Sequence, residues 1–329
     1  MNFMISLERL RSLHAVEAHG SLHAAAGALN VTASAISQQI ARLEEEVGEP
    51  LLERRGRGVA LTDAGQLLTA HAERVFSVLR QAEAELDARR AVVAGELRVG
   101  AFATAIRGLA PGALRTLSKE HPQLQVRLRE MEPLTAITLL VRGDIDLALA
   151  QDWANQPLAV PDGLARAPIF DEVADVALSR KHPLAAQDTV TLSDLAGDDW
   201  ISWEEGSICH DWLMLKLRAQ GCEPRVQHSA LEYATQLSLV GAGLGAAVLP
   251  RLGRGAVPDD VRIVCVKPAL TRHVYALWRS DAARRTAILA AVDAFRRSGE
   301  QCVGPRPVVP SRTARKRAKA RQARRRTRV

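Results

Sequence analysis

The sequence predicts a chain in three folded parts: an N-terminal all-α unit closed by a basic β-turn, one long helix, and a C-terminal α/β domain of two lobes. Three observations predict it. Three short stretches of helical apolar spacing fill residues 1–62, and residues 63–93 continue that spacing with no proline. From Gly95 to about Gly299, strand-like and helix-like segments alternate. A basic segment, residues 301–329, follows.

Bulk composition excludes several classes. The chain is 47% hydrophobic and 25% charged, the mix of a globular protein. No run of apolar residues is long enough to span a bilayer, and the N-terminus carries charges where an export signal needs an apolar centre. A cytoplasmic location is expected. Cys209, Cys222, Cys265 and Cys302 lie far apart with no CxxC spacing, which fits reduced thiols better than a disulfide or zinc framework. The net charge of +7 is unevenly placed. Residues 306–329 hold 11 Lys or Arg and no acid, so the remainder carries 44 − 11 = 33 basic against 37 acidic residues, a net of −4. With little apolar content, that tail is expected to be disordered; it is either a sequence-independent clamp on phosphates or a solvated extension.

The elements of residues 1–62 follow from local chemistry. Leu7, Leu10, Leu13 and Val16 form one helical face, ended at His19-Gly20. Ser21 is the expected N-cap of a second helix bearing Leu22, Ala25, Ala26 and Leu29, and Asn30 closes it. Thr32 caps a third helix, from about Ala33 to Val47, with Ile36, Ile40 and Leu43 inward. Small residues at 24–28 allow two helices to cross closely over a short turn, the packing that a helix-turn-helix requires if its second helix is to enter a major groove. Then Leu51-Leu52 and Val59-Ala60-Leu61 flank a turn holding Arg54, Arg55, Arg57, Gly56 and Gly58. That is a wing, with arginines placed to neutralise phosphates or enter a minor groove.

On these residues the segment resembles the winged helix-turn-helix of LysR-type transcriptional regulators. The matching positions are Leu10, Leu13, Val16, Gly20-Ser21, Ala24 to Ala26, Leu29, Val31 to Ile40, Leu43-Glu44, Val47-Gly48, Leu51-Leu52, Arg54 and Leu61 to Gly65. The resemblance implies a recognition helix, a wing and the start of a linker helix; its domain order extends to about residue 300. One departure matters. The family often has Gln-Pro where this chain has Ala33-Ser34, and Arg where it has Gln38. Direct base readout is therefore expected from Ser34, Ser37 and Gln38, whose amide can pair with adenine. Ser34 and Ser37 could instead act only in the first-turn cap. Arg42 is expected either to hold a phosphate or to pair with Glu46 at i+4. Ser21, Thr32, Ala33, Arg54, Arg55 and Arg57 complete the expected DNA-binding set.

Along the long helix, Leu61, Leu68, Ala72, Val75, Leu79, Ala82 and Leu86 step mostly by three and four. So narrow a stripe predicts a coiled-coil seam, hence a homodimer binding two half-sites of an inverted repeat. The alternative is a helix packed on its own sensor domain. The resemblance implies antiparallel pairing of linker helices and, usually, a tetramer.

The remainder predicts one lobe at about 95–164 and 266–300 and a second at about 165–265. Strand Gly95–Gly100, helix Leu109–Lys119, strand Leu124–Arg129, helix Leu134–Arg142 and strand Ile145–Ala150 give a parallel βαβαβ set. A second set runs through strands 165–170, 173–178 and 200–203, helix 208–220, strand 225–229, helix 231–240 and strand 245–249. Strand 274–278 and helix 284–297 then return. Two such lobes resemble the periplasmic-binding-protein-like effector domain of the same family. Ligands of open α/β lobes sit where strand C-termini meet helix N-termini. This selects Ala101, Phe102, Ala103 and Thr104; Ser202, Trp203 and Glu204; Gln151 and Trp153; and Tyr233. With one hydroxyl in the first turn and two carboxylates in the second, the cleft is expected to favour a ligand with an apolar or cationic portion over a small dianion. Trp153, Trp203 and Tyr233 would stack on it, or else close the core between lobes.

Other signals are weaker. Gly241 to Gly245 has the wrong spacing and order for a dinucleotide loop and reads as a helix end. If Cys209 and Cys222 flank a helix at 208–220, about 20 Å separates them, too far for the disulfide of peroxide-sensing relatives. No metal spacing and no arrangement of nucleophile, base and orienting group appears, so neither cofactor nor enzymatic activity is expected. The expected function is ligand-responsive transcriptional control. Two alternatives are a nucleoid-associated protein acting through the basic tail, and a small-molecule-binding protein or enzyme built on the α/β domain.

Overall fold

The computed structural model describes residues 5–302 apart from 57, 91 and 222. Arg57, Cys222 and the basic tail from residue 303 lie outside the described residues.

The N-terminal domain opens with α1 (Leu7–His19), ended by Gly20 in the left-handed conformation (φ 72°). Helix α2 (Leu22–Leu29) starts at Ser21, whose hydroxyl accepts the Ala24 N–H at 3.1 Å. Asn30, also left-handed (φ 54°), turns the chain into α3 (Ala33–Val47). Thr32 caps α3 by accepting the Ala35 N–H at 3.2 Å. Each cap satisfies an amide that the helix leaves unpaired. Val16, Ala25, Ala26, Ile36 and Ile40 form one core where these helices cross. Ala25 and Ala26 permit the close approach because they add only a methyl each.

Strands β1 (Leu52–Arg55) and β2 (Gly58–Leu61) pair antiparallel as a hairpin, so the wing departs from an all-α unit as expected. A carboxylate oxygen of Glu44 on α3 accepts the amides of Leu51 (2.8 Å) and Leu52 (3.1 Å), which fixes the wing against the third helix. Helix α4 (Asp63–Arg90) begins where Thr62 donates to the Pro50 carbonyl (2.7 Å) and accepts the Gly65 amide (3.0 Å). At Gly65 a Cβ would stand 2.2 Å from the Leu51 carbonyl oxygen. Only glycine fits this crossing. Gly65→Ala is expected to destabilise the domain by about 2–3 kcal/mol, since the obstructing atom is backbone. Thermal unfolding of the variant checks this; an unchanged midpoint would mean the hairpin can retreat.

The expected seam on α4 is divided. Leu68 and Ala72 turn inward with Leu10, Leu13, Leu43 and Leu51, as does Leu61. Val75 (40% exposed), Leu79 (42%) and Leu86 (54%) remain open, joined by Leu67 and Val78, which the spacing had left off the seam. A heptad pattern records that a helix has an apolar stripe, and here α1 takes its first part.

The C-terminal domain starts with β3 (Gly95–Ala101), α5 (Ala103–Gly108), α6 (Ala110–Glu120), β4 (Leu124–Glu130), α7 (Pro133–Arg142) and β5 (Leu147–Trp153). Strand β3 runs parallel to both β4 and β5, as the βαβαβ pattern predicts. The chain then crosses in β6 (Leu164–Ser179) and continues through β7 (Thr189–Val190), β8 (Asp199–Ser202), α8 (Ile208–Arg218), β9 (Arg225–Ser229), α9 (Tyr233–Gly241) and β10 (Ala247–Pro250). It returns in β11 (Val261–Val266), β12 (Leu270–Arg279) and α10 (Thr286–Cys302). The principal sheet has the order β4-β3-β5-β12-β6-β11-β7, with β10 also on β6; β8 and β9 pair separately and in parallel. Strand β12 is antiparallel to both β5 and β6 and ties the lobes together.

Three corrections follow. Residues 165–170 and 173–178, read as two strands, are one, running through Asp171 and Glu172, with Glu172 opposite Arg272 across the ladder. Strands β7 and β11 escaped the sequence reading, being short and fixed by pairing with distant partners. Helix α9 begins at Tyr233, not Leu231. Gly241 to Gly245 does end this helix, with Gly243 left-handed (φ 80°). Among the described residues, no helix is long and apolar enough to cross a membrane.

Candidate nucleic-acid interface and effector cleft

Helix α3 buries Ile36, Ile40 and Leu43 and exposes Thr32, Ser34, Ser37, Gln38 and Arg42. That division follows from the helical period, which places residues three and four apart on one side. Ser34 lies 2.9 Å from the Thr32 hydroxyl, so the two form a hydroxyl pair at the helix start. Ala33 and Ser21 are half-buried, Ala33 against the core and Ser21 with its oxygen spent on the α2 cap. Glu46, the expected helical partner of Arg42, binds Arg9 of α1 instead. Arg54 and Arg55 are exposed on β1. The helix start, its outer face and the wing thus offer hydroxyls, an amide and cations together.

Of the residues expected to line the cleft, Phe102, Thr104 and Trp153 lie around a residue not singled out in the sequence. Arg272 on β12 is wholly buried. Its Nε donates to Glu172 at 2.7 Å and an Nη donates to the Thr104 hydroxyl at 3.0 Å. Its guanidinium lies 5.4 Å from the Phe102 ring centroid and 5.8 Å from that of Trp153. Burial opposes its charge, but Glu172 above all outweighs this and holds the pKa above the ordinary arginine value. Glu172 also accepts the Leu252 amide at 2.7 Å.

Trp153 stacks on Trp212 with ring centroids 3.8 Å apart, so one of its faces is taken. Trp203 meets Tyr233 edge to face at 5.8 Å. Burial pushes the Tyr233 phenol above its usual pKa. The Gln151 amide donates to the Cys209 sulfur at 3.2 Å, and its oxygen finds no partner. Ser202 is buried beside His210 (3.4 Å). Ala101 closes β3, and Ala103 opens the short α5. Glu204 is exposed on the turn before α8, apart from this cluster.

The arrangement of recognition helix, wing, linker helix and two-lobed domain has close parallels. Residues 90–300 match the LysR substrate binding domain, and residues 7–66 match the bacterial regulatory helix-turn-helix protein, lysR family. The chain belongs to the LysR family of transcriptional regulators. This LysR-type regulator is 31% identical to the uncharacterized HTH-type transcriptional regulator YnfL of Escherichia coli K12, over 79% of this chain and 87% of YnfL. It is 28% identical to the DNA-binding transcriptional dual regulator OxyR of the same strain, over 89% and 95%. Among solved structures, a full-length OxyR variant from Pseudomonas aeruginosa superposes with a TM-score of 0.68 at 25% identity, over 89% of this chain and 98% of that one. The LysR-family regulator CbnR complexed with its target DNA shares the fold, with a TM-score of 0.53 at 24% identity, over 89% and 99%.

What the sequence reading of this LysR-type regulator missed is the pair Arg272 and Glu172. One signal was present: a lone Arg inside the apolar run LTRHVYALW. Charged residues within such runs are buried only when paired. Cys209 lies at the start of α8, as expected, and is buried. Burial pushes its thiol up to about 11, so it is protonated at neutral pH, the opposite of an activated thiolate. Its separation from Cys222 involves a residue outside the described set.

Proposed function

We propose that this LysR-type regulator binds an inverted-repeat promoter site as a homodimer or homotetramer and responds to a small molecule held between its lobes. The reading rests on the outer face of α3, where Thr32, Ser34, Ser37, Gln38 and Arg42 are exposed in a row backed by buried Ile36, Ile40 and Leu43. Ser34, Ser37 and Gln38 read base edges; Arg42, Arg54, Arg55 and Arg57 hold phosphates; Ser21, Thr32 and Ala33 shape the helix starts that approach the backbone. The exposed stretch of α4 at Val75, Val78, Leu79 and Leu86 supports pairing with a second copy. It works in the cytoplasm, on the nucleoid, and without catalytic activity or cofactor.

The effector site draws on Ala101, Phe102, Ala103, Thr104, Gln151, Trp153, Ser202, Trp203, Glu204 and Tyr233. A route to the DNA-binding domain exists. Arg80 on α4 donates to Asp281 of the effector domain at 2.8 Å and to Glu73 at 2.6 Å, and Glu73 meets His14 of α1 at 2.9 Å. A ligand that favours one lobe arrangement can act on the DNA only through contacts of this kind.

Gln38→Ala tests the readout. Once genome-wide mapping has supplied an operator, the variant is expected to bind it about tenfold more weakly, the lower range for a lost bidentate base contact. Binding to unrelated duplex should be unchanged. Equal losses on both probes in a gel-shift titration would remove Gln38 from base recognition.

A further inference from the structure

The cleft contains more hydrogen-bond acceptors than the protein satisfies. Gln151, 3% exposed, uses its NH₂ on Cys209 and leaves its oxygen unpartnered. Gln236, fully buried on α9, donates to the Ala230 carbonyl at 2.8 Å and also leaves its oxygen unpartnered. Ala230 in turn donates its amide to the Ser202 carbonyl, which places Gln236 at the same turn as the expected site residues. A buried acceptor without a donor forfeits its hydration without compensation, and a ligand carrying N–H groups would recover the loss. Trp153 Nε1 is a buried donor that likewise has no partner.

Charge points the same way. The buried cation, Arg272, is spent on Glu172 and Thr104, so an entering anion gains no unpaired buried charge. The Glu132 side chain, in contrast, makes no hydrogen bond or ion pair with the described residues; only its backbone carbonyl is engaged, accepting the Ala136 amide at 2.9 Å. Glu132 occupies the N-cap position of α7, but its side chain accepts no helix amide. Its side chain reaches solvent, yet surrounding protein crowds it; that crowding, with help from Glu130 and against Arg272, raises its pKa above the usual carboxylate range. Glu132 follows Met131, whose amide donates to the Ala101 carbonyl at 3.0 Å, so it stands beside the first of the expected cleft turns. The Tyr233 ring already receives one cation there, the Arg107 guanidinium at 5.7 Å. Aromatic faces attract such groups.

We propose that the cleft takes an organic cation, a protonated amine or guanidinium on a partly apolar body, with Glu132 as its counter-ion and Gln151 and Gln236 accepting its N–H groups. The proposal rests on this cleft being the effector site, and it specifies the ligand class.

Agmatine and phenethylamine test it on the full chain, with succinate and benzoate as anionic comparisons. The amines at millimolar concentration are expected to raise the unfolding midpoint and to give calorimetric binding, and the anions are not. Glu132→Gln should weaken amine binding at least about tenfold, the loss expected of a charge-assisted contact. Glu132→Asp should restore part of it. Stabilisation by succinate or benzoate without the amines, equal amine affinity in Glu132→Gln, or no response to either amine would each overturn the assignment. Operator binding by the unliganded wild-type protein is scored separately. Its loss would instead count against the regulator reading.

Discussion

Arg272→Met is expected to destabilise the effector domain by about 3–5 kcal/mol, the cost of leaving one member of a buried ion pair without its partner. Arg272 is 0% exposed and Glu172 8% exposed, and they face each other across β12 and β6, the strands that join the lobes. Removing the guanidinium also strips a donor from the Thr104 hydroxyl. Adding Glu172→Gln should recover most of the loss. A neutral amide keeps an acceptor for the Leu252 N–H while removing the uncompensated charge. Urea unfolding of wild type, both single variants and the double variant measures the coupling. If the double variant is as unstable as Arg272→Met, the single-variant loss came from packing and not from an orphaned charge.

Deleting residues 306–329 is expected to give the largest change in DNA affinity. Those residues carry 11 of the 44 Lys and Arg, and without them the chain has a net charge of −4. Each phosphate neutralised contributes about 0.9 to the slope of log affinity against log salt, so full engagement of the tail would account for a slope of about 10. Fluorescence anisotropy on non-operator duplex across a salt series should show a much flatter dependence and weaker binding for the truncated chain. The operator footprint should persist, because the proposed base readout is by α3. An unchanged slope would mean the tail does not touch phosphates; a lost footprint would favour the nucleoid-protein alternative.

The DNA-binding half was legible because its signals are local. The Ser21 and Thr32 caps, the turns at Gly20 and Asn30, and the spacing of Ile36, Ile40 and Leu43 each act over about one helical turn. Residues that close together in sequence cannot avoid meeting in space. The first βαβαβ set was legible for the same reason, since its connections are short and its handedness is set. Of the candidate effector site, Thr104, Gln151, Trp153, Trp203 and Tyr233 were named from the rule about strand ends, but buried Arg272, which bonds Thr104, was not.

Sequence alone therefore determined the kind of elements, their order and the family to which they belong. Tertiary structure decided which charges are spent and which remain available. Glu46 goes to Arg9 and frees Arg42; Glu44 holds the wing; Arg272 meets Glu172, a hundred residues away along the chain; part of the α4 stripe is used by α1. The physical reason is range. Caps and periodicity act within a turn, whereas ion pairs and close backbone crossings such as Gly65 on Leu51 depend on register between segments that only the assembled fold brings together.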